Sequence, residues 1–209
     1  MDPERFLAEL KQSGLCAIIR CREAGAAEPI ARRLIEAGVR MLEVTLTTPD
    51  AEQTIQALAT DAPAEVWVGA GTVISTEDAE RARAAGARFI VTPGLCPAIE
   101  AAASAGLPSL GGAWTASEVM EAHRRGATAV KIFPASSGGP AHLKALRDPL
   151  PHIPLVAVGG VGLDDIAPYR AVGTIGFGVG GPLIGDAARG GSLDALAERA
   201  GEFVRACRS

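Results

Sequence analysis

One unit recurs along this chain: a short apolar strand, a turn, and an alanine-rich helix closed by glycine. The apolar runs are Leu15–Arg20, Met41–Thr47, Glu65–Ala70, Arg88–Thr92, Pro108–Leu110, Thr128–Phe133, Leu155–Val158 and Thr174–Gly178. Runs this short, β-branched and bounded by glycine or proline read as buried strands. They return about every 20 to 26 residues, near the roughly 30-residue size of a βαβ unit. The helices between them end alike, on Gly38, Gly86, Gly106, Gly126 and Gly173. Glycine takes the left-handed backbone that ends a helix before the next strand. Thr48-Pro49-Asp50, Ser75-Thr76-Glu77-Asp78 and Thr115-Ala116-Ser117-Glu118 mark helix starts, with a hydroxyl cap followed by proline or early acids. Alternating strands and helices imply a parallel sheet covered by helices. Eight such units point to a closed (β/α)8 TIM barrel rather than an open doubly wound sheet, and no G-x-G-x-x-G follows the first strand. A helix at Pro3–Gln12 precedes the first unit as an extra N-terminal element, and the last helix is expected at Ser192–Arg205. At 209 residues the expectation is a single barrel domain, 1–209, with short loops.

Composition narrows the partners. A net charge of −4 without any Lys/Arg-rich block gives no reason to expect nucleic acid. Residues Met1 to Lys11 lack the basic start and apolar core of a signal peptide, and no apolar run approaches the ~20 residues of a membrane span. Cys16, Cys21, Cys96 and Cys207 fall at unrelated spacings with no C-x-x-C pair, as reduced thiols in a cytoplasmic protein would. Cys96, in a loop after Pro93-Gly94, reads as a spectator thiol.

Barrel active sites gather where the carboxyl ends of the strands meet the βα loops. In Ala129-Val130-Lys131-Ile132-Phe133-Pro134, alternation places Ala129, Lys131 and Phe133 on one face and Val130 and Ile132 on the other. Lys131 has two readings: a strand-end lysine whose ammonium reaches solvent, or a buried amine whose lowered pKa lets it attack a ketone. On the second strand Leu42, Val44 and Leu46 suit the helix layer, so Met41, Glu43, Thr45 and Thr47 point into the barrel. Glu43 is either an ion-pair partner, with Lys131 itself a candidate, or a general acid/base with a raised pKa. Arg20 ends the first strand, where a guanidinium could dock a carboxylate or phosphate or simply lie in solvent. Gly69-Ala70-Gly71-Thr72 and Thr92-Pro93-Gly94 are small-residue turns that let a ligand approach the backbone. The seventh and eighth strands run into Gly159-Gly160 and Gly178-Val179-Gly180-Gly181, loops that in barrels often hold phosphate and otherwise are tight turns. His123, His142 and His152 lack paired ligand spacing, so no metal is expected, nor any other cofactor. No G-x-S-x-G occurs. One lysine and one carboxylate inside a barrel suggest covalent imine catalysis.

Nearly end to end, the chain resembles the bacterial 2-keto-3-deoxy-6-phosphogluconate and -phosphogalactonate aldolases, class I pyruvate aldolases on a (β/α)8 barrel. The resemblance rests on Ala17-Ile18-Ile19-Arg20, Glu43-Val44-Thr45-Leu46-Thr47, Gly69-Ala70-Gly71-Thr72-Val73, Val91-Thr92-Pro93-Gly94, Val130-Lys131-Ile132-Phe133-Pro134 and Val158-Gly159-Gly160-Val161. It implies a Schiff base on Lys131 and general acid/base work by Glu43. It implies that Arg20, Thr72 and Pro93 line the pyruvyl pocket, that Thr47 and Phe133 belong to the substrate site, and that Gly159, Gly160, Gly180 and Gly181 receive a phosphate. It further implies a small-molecule 2-keto acid substrate and a homotrimer. Thr47 stands where many phosphogluconate-type members carry arginine, and Val158 and Gly181 where many carry hydroxyl residues. A phosphate would then rest on backbone amides alone. The alternatives are an aldolase for 4-hydroxy-2-oxoglutarate or another non-phosphorylated 2-keto acid, a phosphosugar isomerase or decarboxylase using Lys131 as a fixed charge, a non-catalytic keto-acid- or phosphosugar-binding barrel, and, against the histidine pattern, a metal-dependent aldolase.

Overall fold

The strands close on themselves. In the computed structural model, which describes residues 2–208, β1 (Leu15–Ile19), β2 (Met41–Thr45), β3 (Trp67–Gly71) and β4 (Ile90–Val91) are followed by β5 (Ser109–Ala113), β6 (Ala129–Ile132), β7 (Leu155–Val158) and β8 (Gly176–Val179). Each pairs in parallel with the next, and β8 pairs with β1, giving an eight-stranded (β/α)8 barrel. Met1 and Ser209, the two ends of the expected domain, lie outside the described residues.

Alternation sorts side chains into two layers. Leu42, Val44, Val130 and Ile132 pack outward among the helices. Met41, Cys16, Trp67, Phe89, Leu110, Ala129 and Val156 form a separate interior cluster. The extra helix α1 (Pro3–Ser13) adds Phe6 and Leu10 to that interior cluster. The Phe6 ring meets Trp67 edge-on at 5.4 Å and lies 5.2 Å from Phe89. The Arg88 guanidinium lies 4.2 Å from the Trp67 ring centroid. The last helix spans Leu193–Arg208, three residues further than its sequence signals suggest.

Helix ends follow their local chemistry. Gly38, Gly86, Gly106, Gly126 and Gly173 all take positive φ, between +63° and +93°. Ser75 and Thr115 each close a capping box, with Asp78 and Glu118 respectively answering from the third helical position. The expected cap at Thr48 does not form. Asp50, at φ +57°, precedes the helix Ala51–Asp61, and the Thr48 hydroxyl turns inward to accept from the Cys21 N–H at 3.1 Å and pair with Thr45 Oγ1.

Strand boundaries move by one to three residues. β2 stops at Thr45 because the chain turns there, with Thr48 N donating to Thr45 O. β3 and β8 begin two residues later than read. β5 runs through Gly111 and Gly112 to Ala113, past the expected end at Leu110. Glycine reads as a strand breaker, yet here it is required. A Cβ on Gly112 would sit 2.4 Å from the Gly94 nitrogen, and one on Gly111 2.8 Å from Ala127 Cβ.

Candidate active site

Glycines on the interior face of the barrel make room for their neighbours. The Phe89 ring and the Val158 side chain take the space beside Gly69 on β3 and Gly178 on β8, and the backbone of Pro93 and Gly94 that beside Gly112 on β5. Toward the carboxyl ends of the strands project two ionisable residues that the strands aim inward. Glu43 sits between Ile18 and Gly69 in register, and Lys131 between Gly112 and Val156. Glu43 is 2% exposed and Lys131 7%. A Cβ on Gly71 would meet Glu43 Oε1 at 2.5 Å, so glycine there makes room for the carboxylate.

Burial dominates the electrostatics. It pushes the Lys131 ammonium below the ordinary lysine value against the pull of the Glu43 carboxylate, and the Arg20 cation lowers it further. Burial likewise pushes Glu43 above the usual carboxylate range, partly offset by Lys131 and Arg20. Among the described residues no ion pair joins Lys131 to Glu43, so the lysine is not held as a paired cation. Its Nζ lies 4.9 Å from the centroid of the Phe133 ring, which is 41% exposed at the mouth. The Cys16 thiol, near both groups, is raised well above its ordinary value by burial and stays protonated.

A cavity of about 550 Å³ opens above this pair. Arg20, Glu43, Thr72, Pro93, Lys131 and Phe133 line it, together with Gly159, Gly160, Gly180 and Gly181. Arg20 Nη2 donates to Thr72 Oγ1 at 3.2 Å, which draws the guanidinium across the end of β2. Thr72 holds this position at φ +58°, a strained conformation for a β-branched residue. Pro93 is set by its neighbour: Thr92 Oγ1 accepts from Gly112 N at 2.9 Å and donates to Gly94 O at 2.8 Å. Gly159 and Gly160 take φ +95° and +73°, and a Cβ on Gly159 would meet the Phe133 ring at 2.9 Å. Thr47 is not among the cavity's lining residues. It is exposed beyond the end of β2, and its hydroxyl pairs with Thr45 Oγ1 at 3.1 Å.

The cavity also takes in Ile18, Pro182, Ile184, Gly185, Ala188 and Arg189, which sequence reasoning does not single out. Ile18 follows from alternation, since it shares a face with Cys16 and Arg20. Nothing local marks Arg189, which follows a four-residue helical turn, Gly181–Ile184. His123 and His152, far apart in sequence, meet ring to ring at 5.7 Å, and His142 stacks on Trp114. Among the described residues no group of three or more His, Cys, Asp or Glu side chains is placed to hold a metal ion.

A buried lysine and carboxylate at the mouth of a barrel can be compared with known proteins, and the KDPG and KHG aldolase family matches residues 7–197. The chain belongs to that family. Among curated relatives of this aldolase, a probable 2-dehydro-3-deoxy-6-phosphogalactonate aldolase of Rhizobium meliloti (strain 1021) is 39% identical over 171 residues, 81% of each chain. A 2-dehydro-3-deoxy-phosphogluconate aldolase of Treponema pallidum (strain Nichols) is 37% identical over 164 residues, 78% of each. A solved structure described as native KDPGal superposes with a TM-score of 0.86 at 35% identity, covering 93% of this chain and 94% of the other. Aldolases break a carbon–carbon bond without hydrolysis or oxidation, so the aldolase is a lyase. No helix among its described residues is long and apolar enough to cross a membrane.

Proposed function

We propose that the protein is a class I aldolase that cleaves a 2-keto-3-deoxy sugar acid, 6-phosphorylated and of gluconate or galactonate type, to pyruvate and an aldehyde such as glyceraldehyde 3-phosphate. The observation that carries this reading is the buried Lys131, its ammonium disfavoured by burial, sharing one cavity with Glu43. A neutral amine is the nucleophile a ketone requires. Lys131 attacks the 2-keto carbon, and loss of water leaves an iminium. Glu43, directly or through a water, takes the C4 hydroxyl proton; the C3–C4 bond breaks, its electron pair neutralising the iminium as an enamine. The aldehyde departs, C3 regains a proton from the Glu43 carboxyl, and hydrolysis frees pyruvate and the amine. Arg20, whose charge both reacting groups feel, docks the substrate carboxylate. Val130 and Ile132 pack outward among the helices, on the face of β6 opposite the amine.

Pyruvate followed by borohydride is expected to add one reduced adduct to Lys131, read by intact mass and peptide mapping, and Lys131→Ala to lose both adduct and turnover. An unmodified wild-type protein, folded and with pyruvate in excess, would sink the mechanism. The four cysteines are all free, which supports a cytoplasmic setting. The exposed apolar side chains of Ile74 and Met120 suit burial between copies, and a homotrimer by light scattering is the expected assembly.

A further inference from the structure

The cavity's charge does not match the chain's. Its ionisable lining residues are Arg20, Arg189, Lys131 and Glu43, and even with the Lys131 amine neutral two arginines face one acid in a chain of net charge −4. Such a pocket suits a ligand with more than one anionic group. Arg20 and Lys131 are accounted for by the 2-keto acid end. Arg189 is not. It closes a short 3-10 turn, Ala187–Arg189, held by its own backbone: Arg189 N donates to Asp186 O and Gly190 N to Ala187 O. Among the described residues no hydrogen bond or ion pair engages its guanidinium. The arginines around it are committed: Arg199 donates to Leu183 O and Ile184 O, and Arg33 to Leu193 O, Asp194 and Glu36. Arg20, Glu43 and Lys131 sit on or at the ends of β1, β2 and β6, whereas Arg189 lies on the turn beyond β8, after Gly181–Ile184, at another part of the cavity's rim. The wall between is Val158, Gly159, Gly160, Gly180 and Gly181, none of which carries a hydroxyl or a charge, and the hydroxyl beside it is that of Ser136, packed against Gly160.

We infer that Arg189 is a specificity-determining residue whose guanidinium binds the phosphate at the far end of the substrate, supplying the charge that this glycine-built wall lacks. The inference rests on the aldolase reading for the identity of the near end only. Guanidinium matches phosphate in a bidentate fork. Losing such a charged contact lowers affinity about ten- to a hundredfold.

The test compares 6-phosphorylated and unphosphorylated 2-keto-3-deoxy acids on the wild type, Arg189→Gln and Arg189→Lys. Arg189→Gln is expected to lower the kcat/KM preference for the phosphorylated substrate about ten- to a hundredfold, mostly through KM, and Arg189→Lys to regain part of it. An unchanged preference, or an equal loss on both substrates, would overturn the inference. Titration with 6-phosphogluconate and gluconate, which have no ketone and cannot form an imine, separates this from the aldolase reading. If borohydride trapping fails but Arg189→Gln still weakens 6-phosphogluconate selectively, the phosphate contact stands without the aldolase chemistry. If trapping succeeds and both acids bind wild type and variant alike, the chemistry stands and Arg189 has no part in it.

Discussion

Glu43 and Lys131 are each displaced from ordinary titration by the same cause, burial, and in opposite directions. The sign of the pH dependence follows. The carboxylate must be ionised to accept the C4 hydroxyl proton, and its raised pKa brings the loss of base above the usual value near 4.3 as pH falls. The amine must be neutral to attack, and its lowered pKa widens the range over which it is, down to that lowered value. Both limbs of kcat/KM therefore descend on the acid side. Glu43→Gln is expected to cost roughly 10²–10⁴-fold in rate while still giving the borohydride adduct. It should also remove the carboxylate limb and move the lysine limb to lower pH, because the anion that favours the ammonium is gone. A profile unchanged in shape would mean that another group is the base. Both residues are legible in sequence, since a charged side chain on the inward face of an apolar strand stands out by alternation. Thr47 shares that parity and still misses the cavity, because β2 ends at Thr45 and alternation means nothing past a strand's end.

Within single elements, what is legible depends on how local the cause is. The glycine helix ends and the caps at Ser75 and Thr115 depend on four or five consecutive residues, and they form as the sequence implies. Thr48 obeys a partner 27 residues away instead, the Cys21 N–H. That hydrogen bond ties the loop after β1, which carries Arg20, to the turn after β2. Thr48→Val keeps the shape but leaves a buried N–H unsatisfied, at an expected cost of about 1–3 kcal/mol. Urea unfolding reads that cost, and the KM for the keto acid should rise as Arg20 loses its anchor. A variant as stable as wild type would mean that the Cys21 N–H is satisfied without the Thr48 hydroxyl. The length of β5 was hidden for the same reason: Gly112 is set by the backbone of Pro93 and Gly94 on the neighbouring strand's loop, which no window on β5 contains.

At the scale of the molecule, strand count, strand order and inward parity are legible because eight repeats of one pattern admit one closed arrangement. The difference between the barrel's two ends is not, since both are built from the same strands. One end opens as the cavity that holds Glu43 and Lys131; the other is filled by bulk, and part of that bulk comes from outside the repeat. As a sequence, α1 is only an amphipathic helix, but Phe6 and Leu10 are wholly buried in the barrel's interior cluster against Trp67 and Phe89. A plug of this kind contributes to the stability of the barrel without touching the chemistry. Phe6→Ala is therefore expected to cost about 3–5 kcal/mol, read as a lower urea midpoint, a large share of the 5–15 kcal/mol typical of a folded protein. Below the unfolding transition kcat should stay within about twofold of wild type, because the cavity shares none of its lining with α1. If kcat fell in step with stability, the aromatic layer beneath Glu43 and Lys131 would have to position them, and the two ends of the barrel would work as one unit.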